Sequence, residues 1–146
     1  MQEQTFTTFT PQAAASYAIN RSASYPPPLY DAILSYARPQ TTNALASTSG
    51  SLVVDVGTGP GKVLYDFLPF FDAGVGTDSS EGMIHAAKAD ERYSRAIQMG
   101  KDVRFEVCRA EDIAGLADLQ GKADLIVVAM AVGLPLVLWA GMRTVC

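Results

Sequence analysis

The chain has 146 residues, the usual length of one domain, so a single hydrophobic core is expected. Hydrophobic residues make up 49% of the chain and charged residues 18%, which excludes an intrinsically disordered protein. The net charge of −4 disfavours a nucleic-acid binder, because such proteins usually carry a basic surface. The two cysteines are too few for a disulfide framework, so we expect a reducing, cytoplasmic location.

One segment raises the question of a membrane span. Residues 125–142 carry no charge, and their length is at the lower limit for a membrane-crossing helix. Gly133 and Pro135 interrupt this segment, and its β-branched beginning is typical of a buried parallel strand. Residues 1–10 are polar and rich in threonine, unlike a secretory signal. We therefore expect neither a membrane span nor a signal peptide.

The first fifty residues predict little regular structure. Residues 1–28 show no clean periodicity, and the three prolines at 26–28 predict that a helix begins only after them. Residues 29–37 fit a short helix that ends before Pro39, and the polar residues 40–50 predict a loop. We treat residues 1–50 as an N-terminal segment with one helix that precedes the α/β core.

A regular alternation of strands and helices begins at residue 51. Short apolar or alternating segments predict strands at residues 51–56, 73–77, 103–107 and 124–130. Helices are predicted at about 62–71 and 81–93, with a short helix or turn at 110–119, and Ser79 and Ser80 can cap the second helix. Strands that alternate with helices imply crossover connections, so the fold class is α/β with a parallel sheet.

A glycine-rich loop follows the first predicted strand and reads Asp55-Val56-Gly57-Thr58-Gly59-Pro60-Gly61. Glycines here allow a sharp turn and let a ligand approach the backbone at the carboxyl ends of the strands. A dinucleotide fingerprint would need glycine where Lys62 stands. A phosphate-binding P-loop would need glycine at Val56 and serine or threonine at Val63. Both alternatives are therefore excluded.

Together with Asp78, which ends the second predicted strand, this loop resembles the class I S-adenosylmethionine-dependent methyltransferases. The resemblance implies a Rossmann-like parallel sheet with flanking helices, S-adenosyl-L-methionine as cofactor, and methyl transfer to a small-molecule acceptor. It implies that the loop packs against the methionine portion of the cofactor, that Asp78 accepts from both ribose hydroxyls, and that Met83 lies against adenine. The cofactor-binding residues that it implies in this part of the chain are Asp55, Gly57, Thr58, Gly59, Gly61, Asp78, Ser79 and Met83.

Two further segments extend the resemblance. After the third strand, Glu111 and Asp112 are candidates to accept from the adenine amino group. Acidic residues are also favoured at a helix start by the dipole alone, and both interpretations stay open. Near the N-terminus, Tyr17 and Arg21 are similar to a lid segment of fungal trans-aconitate methyltransferase-like proteins. The resemblance implies that Tyr17 and Arg21 lie near the amino-acid end of the cofactor.

The resemblance covers about residues 5–131, within an N-terminal lid segment and helix at 1–50 and a cofactor-binding core at 51–131. Residues 132–146 form an atypical apolar tail that offers no recognisable fifth strand with a crossover helix, whereas the family has seven strands. We expect this tail either to fold back over the exposed sheet or to leave it open. We therefore expect a truncated sheet, with about four of seven strands and an open edge that permits self-association. The alternative to a methyltransferase is a non-catalytic cofactor-binding remnant or a partner-docking module. No catalytic residue or metal site is predicted.

Overall fold

The computed structural model describes residues 10–20, 25–37, 51–129 and 139–140. The helices are α1 (Pro11–Asn20), α2 (Pro27–Ala37), α3 (Lys62–Phe67), α4 (Glu81–Ala89) and α5 (Glu91–Gln98). The strands are β1 (Leu52–Val56), β2 (Ala73–Asp78), β3 (Asp102–Val107), β4 (Leu125–Val128) and β5 (Trp139–Ala140). Two 3₁₀ segments, Leu68–Phe70 and Ala110–Gly115, follow α3 and β3.

The strands form one sheet in the order β3-β2-β1-β4-β5. The first four strands in this order are parallel, and β5 pairs antiparallel with β4. The predicted α/β class, a Rossmann-like parallel sheet with flanking helices, is confirmed. Because β1 lies between β2 and β4, the carboxyl ends of the central strands meet at one edge of the sheet.

Apolar layers cover both faces of β1, as expected for an interior parallel strand. Val53 belongs to the larger cluster, which includes buried residues of α2, α3 and α4. Leu52, Val54 and Val56 belong to a second cluster on the opposite face. Asp55 alternates with these residues and is buried, so a carboxyl group lies inside the larger layer.

The N-terminal helices differ from the prediction. The sequence did not predict α1, whose periodicity is weak because Ala14 is its one buried residue among those described. The Thr10 hydroxyl accepts the Ala13 N–H at 3.2 Å and helps to start the helix, which packs against α4. The second helix begins at Pro27 rather than after Pro28. Proline is tolerated in a first helical turn because its missing N–H needs no partner there.

The remaining boundaries changed for local reasons. The helix predicted at 81–93 is broken at Asp90, whose carboxylate accepts the Arg92 N–H at 2.9 Å and caps α5. The helix predicted at 62–71 ends at Phe67 and continues as a 3₁₀ turn that contains Pro69.

The tail contributes a short fifth strand, β5, that the sequence did not predict. In β5, Trp139 and Ala140 pair with Ile126 and Leu125. The prediction considered a parallel crossover, whereas an antiparallel pair needs no crossover helix. Self-association through the rest of this edge stays a prediction. The loop at 40–50 and most of the tail at 132–146 lie outside the described residues. Across the described helices, none has the length and apolar character needed to cross a bilayer.

Candidate functional site

The glycine loop closes tightly against the neighbouring strand. The N–H groups of Gly57 and Thr58 both donate to the Thr77 carbonyl oxygen, at 2.8 and 2.9 Å. The Gly61 N–H donates to the Thr58 carbonyl oxygen at 3.0 Å. Gly57, Gly59 and Gly61 have φ values of 73°, 54° and 84°, in the left-handed region that favours glycine. The loop therefore depends on these glycines for its conformation.

Two of these glycines face different surroundings. A Cβ atom at Gly61 would lie 2.9 Å from atoms of the Phe105 and Tyr65 rings, so this glycine permits close packing beneath the loop. A Cβ atom at Gly59 would meet no atom of the described residues within 4 Å. Gly59 thus borders open space on the side where a ligand can approach the backbone.

Asp55 is a buried carboxyl group beneath this loop, with 1% of its surface exposed. Its Oδ2 atom accepts a hydrogen bond from the Thr58 hydroxyl at 2.7 Å. Its Oδ1 atom and the Thr77 Oγ1 atom are buried without a hydrogen-bond partner among the described residues. Burial raises the pKa of Asp55 to about 7, the Thr58 hydrogen bond opposes this rise, and the Asp78 charge adds to it. The loop therefore encloses an acid that titrates near neutral pH.

Asp78 joins three parts of the site. Its Oδ2 atom accepts the Gly59 N–H and its Oδ1 atom accepts the Ser80 N–H, both at 2.9 Å. Its carbonyl oxygen accepts the Cys108 N–H at 2.9 Å, which links the ends of β2 and β3. A carboxylate has about four acceptor positions, so two remain for hydroxyl donors of a ligand.

The start of α4 lies beside Asp78. Of the two predicted caps, Ser80 performs the role, since its Oγ atom accepts the Met83 N–H at 3.3 Å. Ser79 is half-buried next to it, and Met83 is buried. The structure therefore brings Ser79 and Met83 to the same edge as the glycine loop.

The other four predicted residues belong to the turn after β3 and to the N-terminal segment. Glu111 and Asp112 are exposed in the 3₁₀ turn after β3, where Glu111 lies 3.5 Å from the Arg109 guanidinium. Tyr17 is half-buried on α1, the helix that packs against α4. Arg21 lies outside the described residues.

Two residues of the site were missed in the sequence. Thr77 provides the carbonyl oxygen that anchors the loop and an unpaired buried hydroxyl. Gly76 allows Thr58 and Phe105 to approach, because a Cβ there would lie 2.6 Å from Phe105 and 2.9 Å from the Thr58 hydroxyl. The available signals were a polar residue in an apolar strand and a glycine in a strand interior.

No known protein-family model matches this chain. The chain is 34% identical over 90 residues to the methyltransferase cfoB of Aspergillus candidus, covering 62% of this chain and 26% of cfoB. It is 35% identical over 88 residues to the N-methyltransferase FrzE of a Cladobotryum species, covering 54% of this chain and 30% of FrzE. The chain therefore spans less than a third of the length of these curated relatives.

Among solved structures, the chain is similar to the plantazolicin methyltransferase BamL, which was crystallised with a triazolic desmethylPZN analog and SAH. The TM-score is 0.54 at 23% identity, and the match covers 84% of this chain and 42% of BamL. At this level of identity the likeness shows that the two chains share a fold.

Proposed function

We propose that this chain, which is related in sequence and fold to the class I S-adenosylmethionine-dependent methyltransferases, binds S-adenosyl-L-methionine at the carboxyl ends of β1 and β2. We further propose that it supports methyl transfer to a small-molecule acceptor in the cytoplasm. The arrangement of Asp78 carries this proposal. Its carboxylate accepts the Gly59 N–H of the glycine loop and the N–H of Ser80, the residue that caps α4, and these two contacts leave acceptor positions for a ligand.

The residues present fit this cofactor. Gly59 borders open space, so the loop backbone can be approached without a side chain in the way. Asp55 presents a buried carboxyl oxygen without a partner among the described residues, and the cofactor carries two cationic groups, the sulfonium and the ammonium of its amino-acid end. The resemblance implies that Asp78 holds the ribose and that Met83 lies against adenine, and their place beside the glycine loop supports these roles. This assignment also supports roles for Gly57, Thr58, Gly61 and Ser79.

The cofactor, when bound, supplies a methyl group on a sulfonium centre that is already activated for attack. The chain therefore has little covalent chemistry to perform, and its contribution is binding and orientation. Asp78 is fixed by the Gly59 and Ser80 N–H groups before any ligand arrives, so no side-chain reorganisation is needed. The Ser80 cap fixes the first turn of α4, which carries Met83.

Calorimetric titration tests this proposal directly. We expect S-adenosyl-L-methionine and its demethylated product to bind, and NADH to give no signal. Asp78→Asn removes the negative charge, and hydrogen bonds to charged groups contribute about 1.5–3 kcal/mol each. Since 1.4 kcal/mol corresponds to tenfold, the affinity should fall at least tenfold in this variant.

Asp31→Asn provides the matched control, because it makes the same chemical change at an exposed position on α2. Its affinity should equal that of the parent chain, and circular dichroism should show that both variants are folded. Unchanged affinity in Asp78→Asn, or NADH binding without S-adenosyl-L-methionine binding, would contradict the proposal. Binding without methyl transfer would favour the alternative of a non-catalytic cofactor-binding module.

A further inference from the structure

The Asp55 carboxyl group is only half satisfied by the protein. Its Oδ2 atom is held by the Thr58 hydroxyl at 2.7 Å, whereas Oδ1 is buried with no partner among the described residues. An ionised carboxylate that is removed from water and incompletely hydrogen-bonded is costly, and such a group usually becomes neutral by taking up a proton. The geometry therefore favours the protonated carboxyl in the unliganded chain.

The groups around Asp55 reinforce this preference. On β4 the residues paired with β1 are Leu125–Val128, which are apolar, and on β2 the carboxylate of Asp78 disfavours a second negative charge nearby. In α3, the Tyr65 hydroxyl donates to the Ala87 carbonyl oxygen at 2.6 Å. Asp66, also on α3, accepts from the Tyr30 hydroxyl at 2.7 Å.

Lys62, the first residue of α3, is the cation closest in sequence to the loop, yet it does not enter the interactions that shift Asp55. The groups that favour the ionised carboxylate are the Thr58 hydroxyl and the backbone of Leu64. Both of these groups are neutral, so neither balances a negative charge on Asp55.

We propose that Asp55 carries a proton in the unliganded chain and releases it when the positively charged cofactor binds at the loop. This inference rests on the proposed function, because it requires a cationic ligand at the glycine loop. The O–H bond of the carboxyl breaks, the proton passes to the solvent, and the carboxylate charge that remains is balanced by the charge of the ligand. Ligand binding and proton release are therefore linked, and each must depend on the other.

The linkage predicts how affinity varies with pH. A ligand that favours the ionised carboxylate competes with the proton, so binding strengthens as pH rises toward 7 and then levels off. The ordinary pKa of an aspartate is near 4, and burial raises that of Asp55 to about 7. A solvent-exposed aspartate would be ionised between pH 6 and pH 7, so it would cause no change of affinity with pH in this range.

Titration calorimetry in two buffers of different ionisation enthalpy measures the number of protons released. With S-adenosyl-L-methionine we expect about half a proton at pH 7 and nearly one at pH 6, as follows for a group that titrates near 7 and is ionised in the complex. Asp55→Asn preserves the size of the side chain and cannot titrate. The number of protons that Asp55→Asn releases on binding includes any protons exchanged by the ligand itself. The difference in proton release between the parent chain and Asp55→Asn is therefore the contribution of Asp55.

Thr58→Val gives a second, independent variant. It removes the hydrogen bond that favours the ionised form, so the pKa of Asp55 should rise further and proton release at pH 7 should increase. This variant keeps the inference testable if Asp55→Asn does not fold. An unchanged value in Thr58→Val, or binding with equal proton release in the parent chain and in Asp55→Asn, would overturn the inference alone. If S-adenosyl-L-methionine produced no binding heat at all, the proposed function would fail as well.

Discussion

Two turns at the same edge of the sheet treat acidic residues in opposite ways. The glycine loop, residues 57–61, and its partner strand β2 hold Asp55 and Asp78 in fixed positions through hydroxyl and N–H donors. The turn after β3, residues 108–115, exposes Glu111 and Asp112 to solvent. All four residues were candidate cofactor ligands in the sequence.

The difference shows what makes a carboxylate part of a preorganised site. Backbone N–H groups fix Asp78 before a ligand binds, so a ligand need not pay for ordering this side chain. An exposed acid such as Asp112 is already well solvated, and any contact it makes with a ligand replaces contacts with water. The glycine loop is therefore the better candidate for binding, and four predictions test this contrast.

The largest expected effect is a pH dependence of stability that Asp55 causes. The pKa of Asp55 is raised to about 7 by burial in the folded chain and is near 4 in the unfolded chain. The folded state therefore binds more protons than the unfolded state between these values, and its stability falls as pH rises through this window. A shift of this size corresponds to a loss of about 4 kcal/mol in the free energy of unfolding.

Urea unfolding of the parent chain and Asp55→Asn at pH 5 and pH 8 measures this effect. Asp55→Asn should lack most of the decrease between the two pH values, whereas Asp112→Asn should retain it. If the parent chain were equally stable at both pH values, Asp55 would be ionised when folded and the contrast between the two turns would weaken.

An intermediate effect separates two glycines of the same loop. Gly61→Ala combines a left-handed backbone with contacts of 2.9 Å to Phe105 and Tyr65, so the free energy of unfolding should fall by about 2–4 kcal/mol. Gly59→Ala carries the backbone cost alone, and its loss should be about 1 kcal/mol. Urea unfolding compares the two variants. Equal losses of unfolding free energy in the two variants would show that the packing beneath Gly61 does not contribute to stability.

For ligand affinity, Gly59→Ala should have a clear effect although its effect on stability is the smaller of the two. A methyl group at Gly59 projects into the open space beside the loop, where the proposed cofactor lies. Calorimetry on Gly59→Ala should therefore show weaker binding of S-adenosyl-L-methionine although the variant is well folded. Full affinity in this variant would place the ligand elsewhere.

The smallest effects are expected in the turn after β3. Glu111→Gln and Asp112→Asn should each change the free energy of unfolding by less than about 0.5 kcal/mol, because exposed charges contribute little to stability. The affinity for S-adenosyl-L-methionine should fall less than tenfold in either variant. A larger loss would bring this turn into the site and would favour the adenine contact that the resemblance implies.

Local sequence patterns were sufficient for the central part of the fold. The apolar strands, the glycine loop, the acid at the end of β2 and a serine cap for α4 were all predicted, and the structure contains each of them within a few residues. These features depend on interactions between residues that are close in the chain. Apolar periodicity, capping and the backbone freedom of glycine act over only a few positions.

The features that the sequence did not predict depend on contacts between distant residues. The helix α1 has one buried residue among those described and gains its environment from α4, so its pattern carried no periodic signal. The same holds for β5, which exists through pairing with β4. Whether Glu111 is exposed could not be read from a short acidic segment, because exposure depends on what else packs nearby.

Asp55 shows most clearly which properties the sequence determined and which the tertiary structure decided. The sequence alone determined that an aspartate lies near the end of a strand and precedes three glycines, which was enough to indicate a binding loop. The tertiary structure decided that its carboxyl is buried, that one oxygen lacks a partner, and that a second carboxylate lies near enough to oppose its ionisation. The physical reason is that desolvation and charge repulsion act through space, so a residue's pKa depends on the packed layers around it rather than on its neighbours in the chain.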